Sequence, residues 1–194
     1  LDNIENKDSL FLDLNCAIHP CCRKILEEYN STINNEDTLN PKNSVIKLET
    51  KMIHETINYI QKLVEIVKPK FLYIAIDGVA PLAKMNQQRL RRHKSVFDRK
   101  KQNEIKLKNG VVPNNISWDT NAISPGTEFM EKLCDKILIE IQTNPIYLTI
   151  NTYFSDINES GEGEHKIINY IKDNNLENNI IIYGLDADLI MLSF

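Results

Sequence analysis

Short apolar runs alternate along the chain with longer stretches in which apolar residues recur every three or four positions. The short runs predict strands at about residues 10–15, 71–77, 146–154 and 180–185. The longer stretches predict helices over 20–29, 44–67, 81–108, 127–142 and 164–174. Within 44–67, Ile46, Ile53, Ile57, Ile60, Leu63, Val64 and Val67 repeat at helical spacing and mark a core-facing stripe. Alternation of this kind implies parallel strands joined by right-handed crossovers, with helices on both faces of the sheet. The expected architecture is α/β, a mostly parallel central sheet flanked by helices, in a single domain over 1–194. Two polar segments, 30–43 and 108–124, read as surface loops.

Composition adds a few boundaries. At 194 residues and 42% hydrophobic, the chain can bury one good core. Its net charge of −4 excludes a global basic field for nucleic acid, yet 84–108 holds ten Lys or Arg against only Asp98 and Glu104. Local charge is what guides a polyanion. No run of 18 apolar residues exists and the start is polar, so neither a membrane span nor a signal peptide is expected. The four cysteines form no CxxC pair, which suggests a reduced, intracellular setting. Cys16, His19, Cys21 and Cys22 could be drawn as a zinc site, but no second cluster completes it, and buried thiols are the better reading. The first residue is Leu, and the last four continue an apolar run, which reads as a segment of a longer protein.

Six acids stand in four short clusters beside the apolar runs: Asp13, Asp77, Glu162 with Glu164, and Asp186 with Asp188. A carboxylate leaving the C-terminal end of a parallel strand lands in the crevice where open α/β sheets bind ligands. Several together repel one another unless cations neutralise them. Hard divalent ions suit such an all-oxygen cluster, and displacement at phosphorus is the reaction they best support. A lone Asp after a strand is usually a helix cap. Glu162 and Glu164 have a structural alternative as first-turn helix acids, worth tenths of a kcal/mol.

Past Asp77, Pro81 suits a first helical turn. On that helix Lys84, Gln88, Arg91 and Arg92 share one face, close enough to reach the same crevice. Arginine forks match phosphate oxygens, so a terminal phosphate is a fitting guest, although most charge runs are solvated faces. His19 is open between a structural role and stacking on a base at the crevice mouth. His165 carries a weaker signal. Trp118 and Phe97 are expected to pack in core or loop rather than stack on bases.

Longer strings then become specific. Val79-Ala-Pro-Leu-Ala-Lys-Met-Asn-Gln-Gln-Arg-Leu-Arg-Arg92, Ile123-Ser-Pro-Gly-Thr-Glu-Phe-Met130, Gly161-Glu-Gly-Glu-His-Lys-Ile167 and Gly184-Leu-Asp-Ala-Asp-Leu-Ile190 resemble the amino-terminal nuclease region of the XRN family of 5′→3′ exoribonucleases. The segment from Leu12 to Cys21 is similar to that family's first metal-binding strand. The resemblance runs in family order over nearly the whole chain. It implies a fold related to flap endonucleases and the PIN-like nucleases. It also implies magnesium, with manganese as a substitute, held by Asp13, Asp77, Glu162, Glu164, Asp186 and Asp188, which are then the catalytic acids. Lys84, Gln88, Arg91 and Arg92 would form the 5′-phosphate pocket, and His19 would stack on the first base.

The implied partner is RNA with a 5′-monophosphate end, degraded to mononucleotides, while capped and 5′-triphosphate ends are excluded. The expected address, from the cysteine usage, is intracellular, with the cytoplasm preferred to the nucleus. Several departures matter. The family's customary start is missing, as are a further metal-site aspartate downstream of Asp188 and the second conserved region. Ser160 stands where the family usually has Pro. The nuclease domain therefore reads as truncated at both ends, with its remainder supplied in cis and the activity of this chain alone in question. Two other readings stay open. One is a structure-specific DNA flap nuclease with the same carboxylate chemistry. The other is a non-catalytic RNA-binding module derived from the nuclease, which would call for broken acids.

Overall fold

The computed structural model of the chain describes residues 8–32, 41–110, 118–176, 179–185, 189 and 191. The elements are β1 (Ser9–Asp13), α1 (Asn15–Thr32), α2 (Pro41–Val67), β2 (Phe71–Ala75), α3 (Leu82–Lys108), a 3-10 turn (Thr120–Ala122), α4 (Glu128–Thr143), α5 (Pro145–Leu148), β3 (Asn151–Ser155), α6 (Gly163–Asp173) and β4 (Ile180–Tyr183). Among the described residues the sheet has four strands in the order β3-β2-β1-β4, and every pairing is parallel. The expected α/β architecture is the one observed.

Side chains of β1 and β2 alternate between two apolar layers, as the pleat requires. Leu10, Leu12, Leu72 and Ile74 face one side and join Ile18, Cys22, Leu48, Met52, Ile60 and Leu133 from α1, α2 and α4. Phe11, Tyr73 and Ala75 face the other side and meet Ile167 of α6. Phe11 is wholly buried, a contribution of roughly 1.5–3 kcal/mol. On that second face its ring lies 5.4 Å from Tyr73, and Tyr73 lies 4.6 Å from Tyr170. Strands covered on both faces explain why the runs are almost continuously apolar.

Three sequence expectations are corrected. Helix α1 starts at Asn15 rather than at residue 20, and Pro20 sits inside it. Proline removes one helical hydrogen bond, but burial of Ala17, Ile18, Cys21 and Cys22 on one face outweighs that loss. In α2 the buried row runs through Leu48, Met52, Ile53, Ile57, Ile60, Val64 and Val67, whereas Ile46 is 56% exposed. Ile46 lies two residues before Leu48, about 200° around the axis at 3.6 residues per turn. The apolar run from residue 146 is helical at first. Asn144 Oδ1 accepts the Ile146 N–H at 3.1 Å and Pro145 takes the first turn, so the strand begins only at Asn151.

Helix α3 differs from the rest because none of its 27 residues is buried. It stands away from the core, tied at Arg99, whose guanidinium lies 3.4 Å from Asp119. No described helix is long and apolar enough to cross a membrane.

Candidate active site

Parallel pairing delivers two carboxylates to one edge of the sheet. Asp13 is the last residue of β1 and is buried. Beyond the strands the chains stay in register: the Leu14 N–H donates to Ala75 O at 2.9 Å, and the Ile76 N–H to Ser155 O at 3.0 Å. Asp77 therefore emerges beside Asp13. Gly78 N–H then bonds Gly161 O at 2.8 Å, and Gly161 N–H bonds Val79 O at 3.1 Å. This exchange brings the start of α6 onto the same edge. Gly161 has φ of 108°, a left-handed conformation that favours glycine.

Glu162 occupies the N-cap position of α6 without a side-chain capping bond, Glu164 lies in the first turn, and both are buried. The Gly163 N–H donates to Asp77 Oδ1 at 2.7 Å. A Cβ on Gly163 would stand 2.6 Å from Asp13 Oδ1 and 3.5 Å from Asp77 Oδ1. Only glycine lets the helix start come between the two aspartates. Two supporting residues carry no distinctive sequence signal. Lys166, buried beneath the site, donates to Ile76 O and Asp156 O, both at 2.8 Å. Asn15 Oδ1 accepts the Asp77 N–H at 3.3 Å. No local pattern marks Lys166, because a lone lysine on a helix reads as a solvated residue.

Electrostatics follow from this crowding. Burial raises the Asp77 pKa, the Gly163 N–H opposes it, and the nearby Glu162 charge raises it further. Burial pushes the Lys166 ammonium down. Glu162, Glu164 and His165 offer ligand atoms within 4.8 Å of one another, the one such group among the described residues. His165 Nδ1 lies 3.8 Å from Glu162 and 3.7 Å from Glu164, so this histidine belongs nearer the site than its sequence signal suggested. A set dominated by carboxylate oxygens, gathered round a glycine that leaves room between Asp13 and Asp77, fits a hard divalent cation. Asp186 and Asp188 lie outside the described residues. Two residues before Asp186 the chain does pass Asp13: a Cβ on Gly184 would be 3.4 Å from the Asp13 Cβ.

The basic helix contributes to the same cavity. A cavity of about 620 Å³ is lined by Asp13, Asp77, Glu162 and Glu164 together with Lys84, Gln88 and Arg91 of that helix, and by His19. Lys84 forms an ion pair with Glu162, and that bond raises its pKa. Arg92 lines an adjoining cleft of about 360 Å³ that shares His19, Asp77, Gln88 and Arg91 with the first. His19 is open to solvent on one side but crowded by protein on the other. That loss of water, then the charges of Arg91 and Arg23, lowers its pKa against the pull of Asp77.

Other candidates resolve simply. All four cysteines are free thiols, and among the described residues they gather no metal-ligand group with His19. Trp118 is buried edge-on to Phe129 at 5.1 Å, the packing role expected. Phe97 departs from that expectation, being 65% exposed on α3, a helix with no core to enter.

Comparison with known proteins extends the picture. The family model described as "XRN 5'-3' exonuclease N-terminus" matches residues 2–194. The chain is 39% identical to the 5'-3' exoribonuclease 1 of Saccharomyces cerevisiae, covering 95% of this chain and 12% of that protein. It is 37% identical to the human 5'-3' exoribonuclease 1, over 95% of this chain and 11% of the relative. The 5'-3' exoribonuclease 2 of Eremothecium gossypii is also 37% identical, over 95% of this chain and 20% of its own length. The chain thus spans only a fraction, at most a fifth, of the length of these relatives.

Proposed function

The chain belongs to the XRN 5'-3' exonuclease family, and on that premise we propose that it forms the catalytic crevice of a 5′→3′ exoribonuclease. The proposed substrate is RNA with a 5′-monophosphate end, removed one mononucleotide at a time. One observation carries this reading: the acids Asp13, Asp77, Glu162 and Glu164 and the Lys84, Gln88, Arg91 row line a single cavity of about 620 Å³. Relatives named 5'-3' exoribonuclease support it.

Each set of residues has its own task. Arg91 and Arg92 offer guanidinium forks to the non-bridging oxygens of a terminal phosphate, and Lys84 and Gln88 complete the donors. That clamp fixes which end of the RNA enters. His19, with its lowered pKa, presents a neutral ring at neutral pH and can stack on the first base. Asp13, Asp77, Glu162 and Glu164 would hold magnesium, or manganese in its place, together with Asp186 and Asp188. When bound, the metal supplies charge neutralisation at phosphorus and a more acidic water. Gly163 and Lys166 keep the acids together before substrate arrives. The remainder of the nuclease domain, in cis, is proposed to close the crevice, at an intracellular and cytoplasmic address.

A DNA flap nuclease would share the acids, and the Lys84–Arg92 string favours the RNA reading. A non-catalytic binding module is disfavoured because all six acids are intact in the sequence. The test is a comparison of RNAs of one sequence carrying a 5′-phosphate, a 5′-hydroxyl or a cap, alongside a 5′ flap DNA, using the full-length protein. Rapid loss of the 5′-phosphate RNA alone supports the proposal. Equal loss of the hydroxyl RNA, or preference for flap DNA, defeats it.

A further inference from the structure

An ion pair joins the basic helix to the acid cluster. Lys84 lies in the first turn of α3, where its N–H donates to Pro81 O at 2.9 Å, and its side chain is 41% exposed. Glu162, 78 positions farther along the chain, holds the N-cap position of α6, and its side chain is only 10% exposed. That carboxylate makes no capping bond to its own helix and instead accepts from the Lys84 ammonium. Glu162 foremost, then Glu164 and Asp77, attract the ammonium by charge.

Each member of the pair has a second role in the reading above, Lys84 toward the 5′-phosphate and Glu162 toward a divalent cation. While they are paired, neither charge is fully available. A phosphate entering the cavity meets an ammonium already neutralised by a carboxylate. Drawing that ammonium away leaves Glu162 buried without its counter-charge, which is costly. A divalent cation on Glu162 supplies the counter-charge and repels the ammonium, since like charges a few ångströms apart oppose each other. Lys84 is then released to the phosphate. Each event favours the other, because both require the same ion pair to open.

We propose that the ion pair of Lys84 with Glu162 couples the two recognition events, so that divalent metal on the acids sharpens the preference for a 5′-phosphate end. Glu162 thereby acts as a specificity-determining residue through Lys84. By linkage the coupling is reciprocal: a 5′-phosphorylated RNA tightens metal binding by the same factor. A coupling of about tenfold lies within the range that two-site linkages in proteins show. This inference rests on the assignment of Lys84 to the phosphate and of Glu162 to the metal made above, and adds the link between them.

The experiment measures equilibrium binding of fluorescent RNAs of one sequence, with a 5′-phosphate or a 5′-hydroxyl, to the full-length protein. Each is measured in chelator and in calcium, whose looser coordination geometry is poorly suited to hydrolysis. Melting temperatures verify folding. Preference for the phosphorylated end should rise about tenfold from chelator to calcium. Glu162→Gln leaves Lys84 unpaired and should show the raised preference already in chelator. Lys84→Gln should lose the calcium effect. Glu164→Gln removes the same charge from the cluster but keeps the ion pair, and should match the wild type in chelator. The inference is overturned if calcium leaves the wild-type preference unchanged, or if Glu164→Gln equals Glu162→Gln. It is overturned too if Lys84→Gln keeps the calcium effect, the signature of direct attraction between metal and phosphate. A wild-type protein with no preference for 5′-phosphate in either condition overturns the underlying reading, a result distinct from loss of the coupling alone.

Discussion

At Gly163 an added methyl would stand 2.6 Å from the Asp13 carboxylate, which is buried at the end of β1 and has little room to retreat. Gly163→Ala is therefore expected to displace Asp13 from its neighbours. A shift of about 1 Å in a catalytic group can cost a hundredfold in rate, and a loss of about that size is expected, with the protein still folded by thermal melt. Cys16 makes a second residue-scale case. It lines the crevice, but burial first, and then Asp13, push its thiol pKa up to about 11 from 9.0. A raised pKa leaves the thiol protonated at pH 8, so alkylation there should run about a hundredfold slower than for an ordinary cysteine and quicken only as the pH nears that value. Fast labelling of Cys16 in the native protein would contradict this. Asp13, Asp77, Glu162 and Glu164 were legible in the sequence because each interrupts a recognisable pattern. Lys166 was not, since a lone lysine in a helix looks solvated until two backbone carbonyls are seen to hold it.

Helix α2 shows what periodicity can and cannot settle. The sequence specified a buried row but admitted Ile46, and the structure rotates that residue outward and buries Leu48 completely. Leu48→Ala should destabilise the fold by about 2–5 kcal/mol, whereas Ile46→Ala should stay within about 0.5 kcal/mol. Denaturant melts decide it, and equal effects would mean the helix is turned otherwise. Pro20 misled in the opposite direction. Its usual preference for a first turn was overridden by burial of the residues around it, a tertiary effect invisible to local rules. In α3 the charged face was legible from spacing, and the helix lies along the cavity as expected. Arg91→Ala should weaken discrimination between 5′-phosphate and 5′-hydroxyl RNA by about 1.5–3 kcal/mol, because only the phosphorylated end makes that charge-assisted contact. Lys100→Ala, farther along the same helix, should lower affinity for both ends alike in binding assays and reduce the salt dependence.

At the scale of the whole molecule, a parallel sheet does the gathering. Residues 64 apart in sequence, Asp13 and Asp77, meet because β1 and β2 run side by side in register. The acids of α6 join them through the Gly78 and Gly161 exchange. The strand-and-helix alternation was enough to read the layering, while the closeness of Gly163 to two aspartates depends on packing that no linear pattern encodes. A net charge of −4 is no obstacle to an RNA-handling role when cations are concentrated on α3 and acids in one cluster. The central claim is that these two clusters act on the same RNA end. The most direct measurement is an early time course of products from RNA labelled at its 5′-monophosphate and digested by the full-length protein with magnesium. Labelled mononucleotide from the first time points, and no labelled intermediate of other lengths, is the predicted result. Labelled oligonucleotides from internal cuts, or an equal rate with a 5′-hydroxyl end, would contradict it.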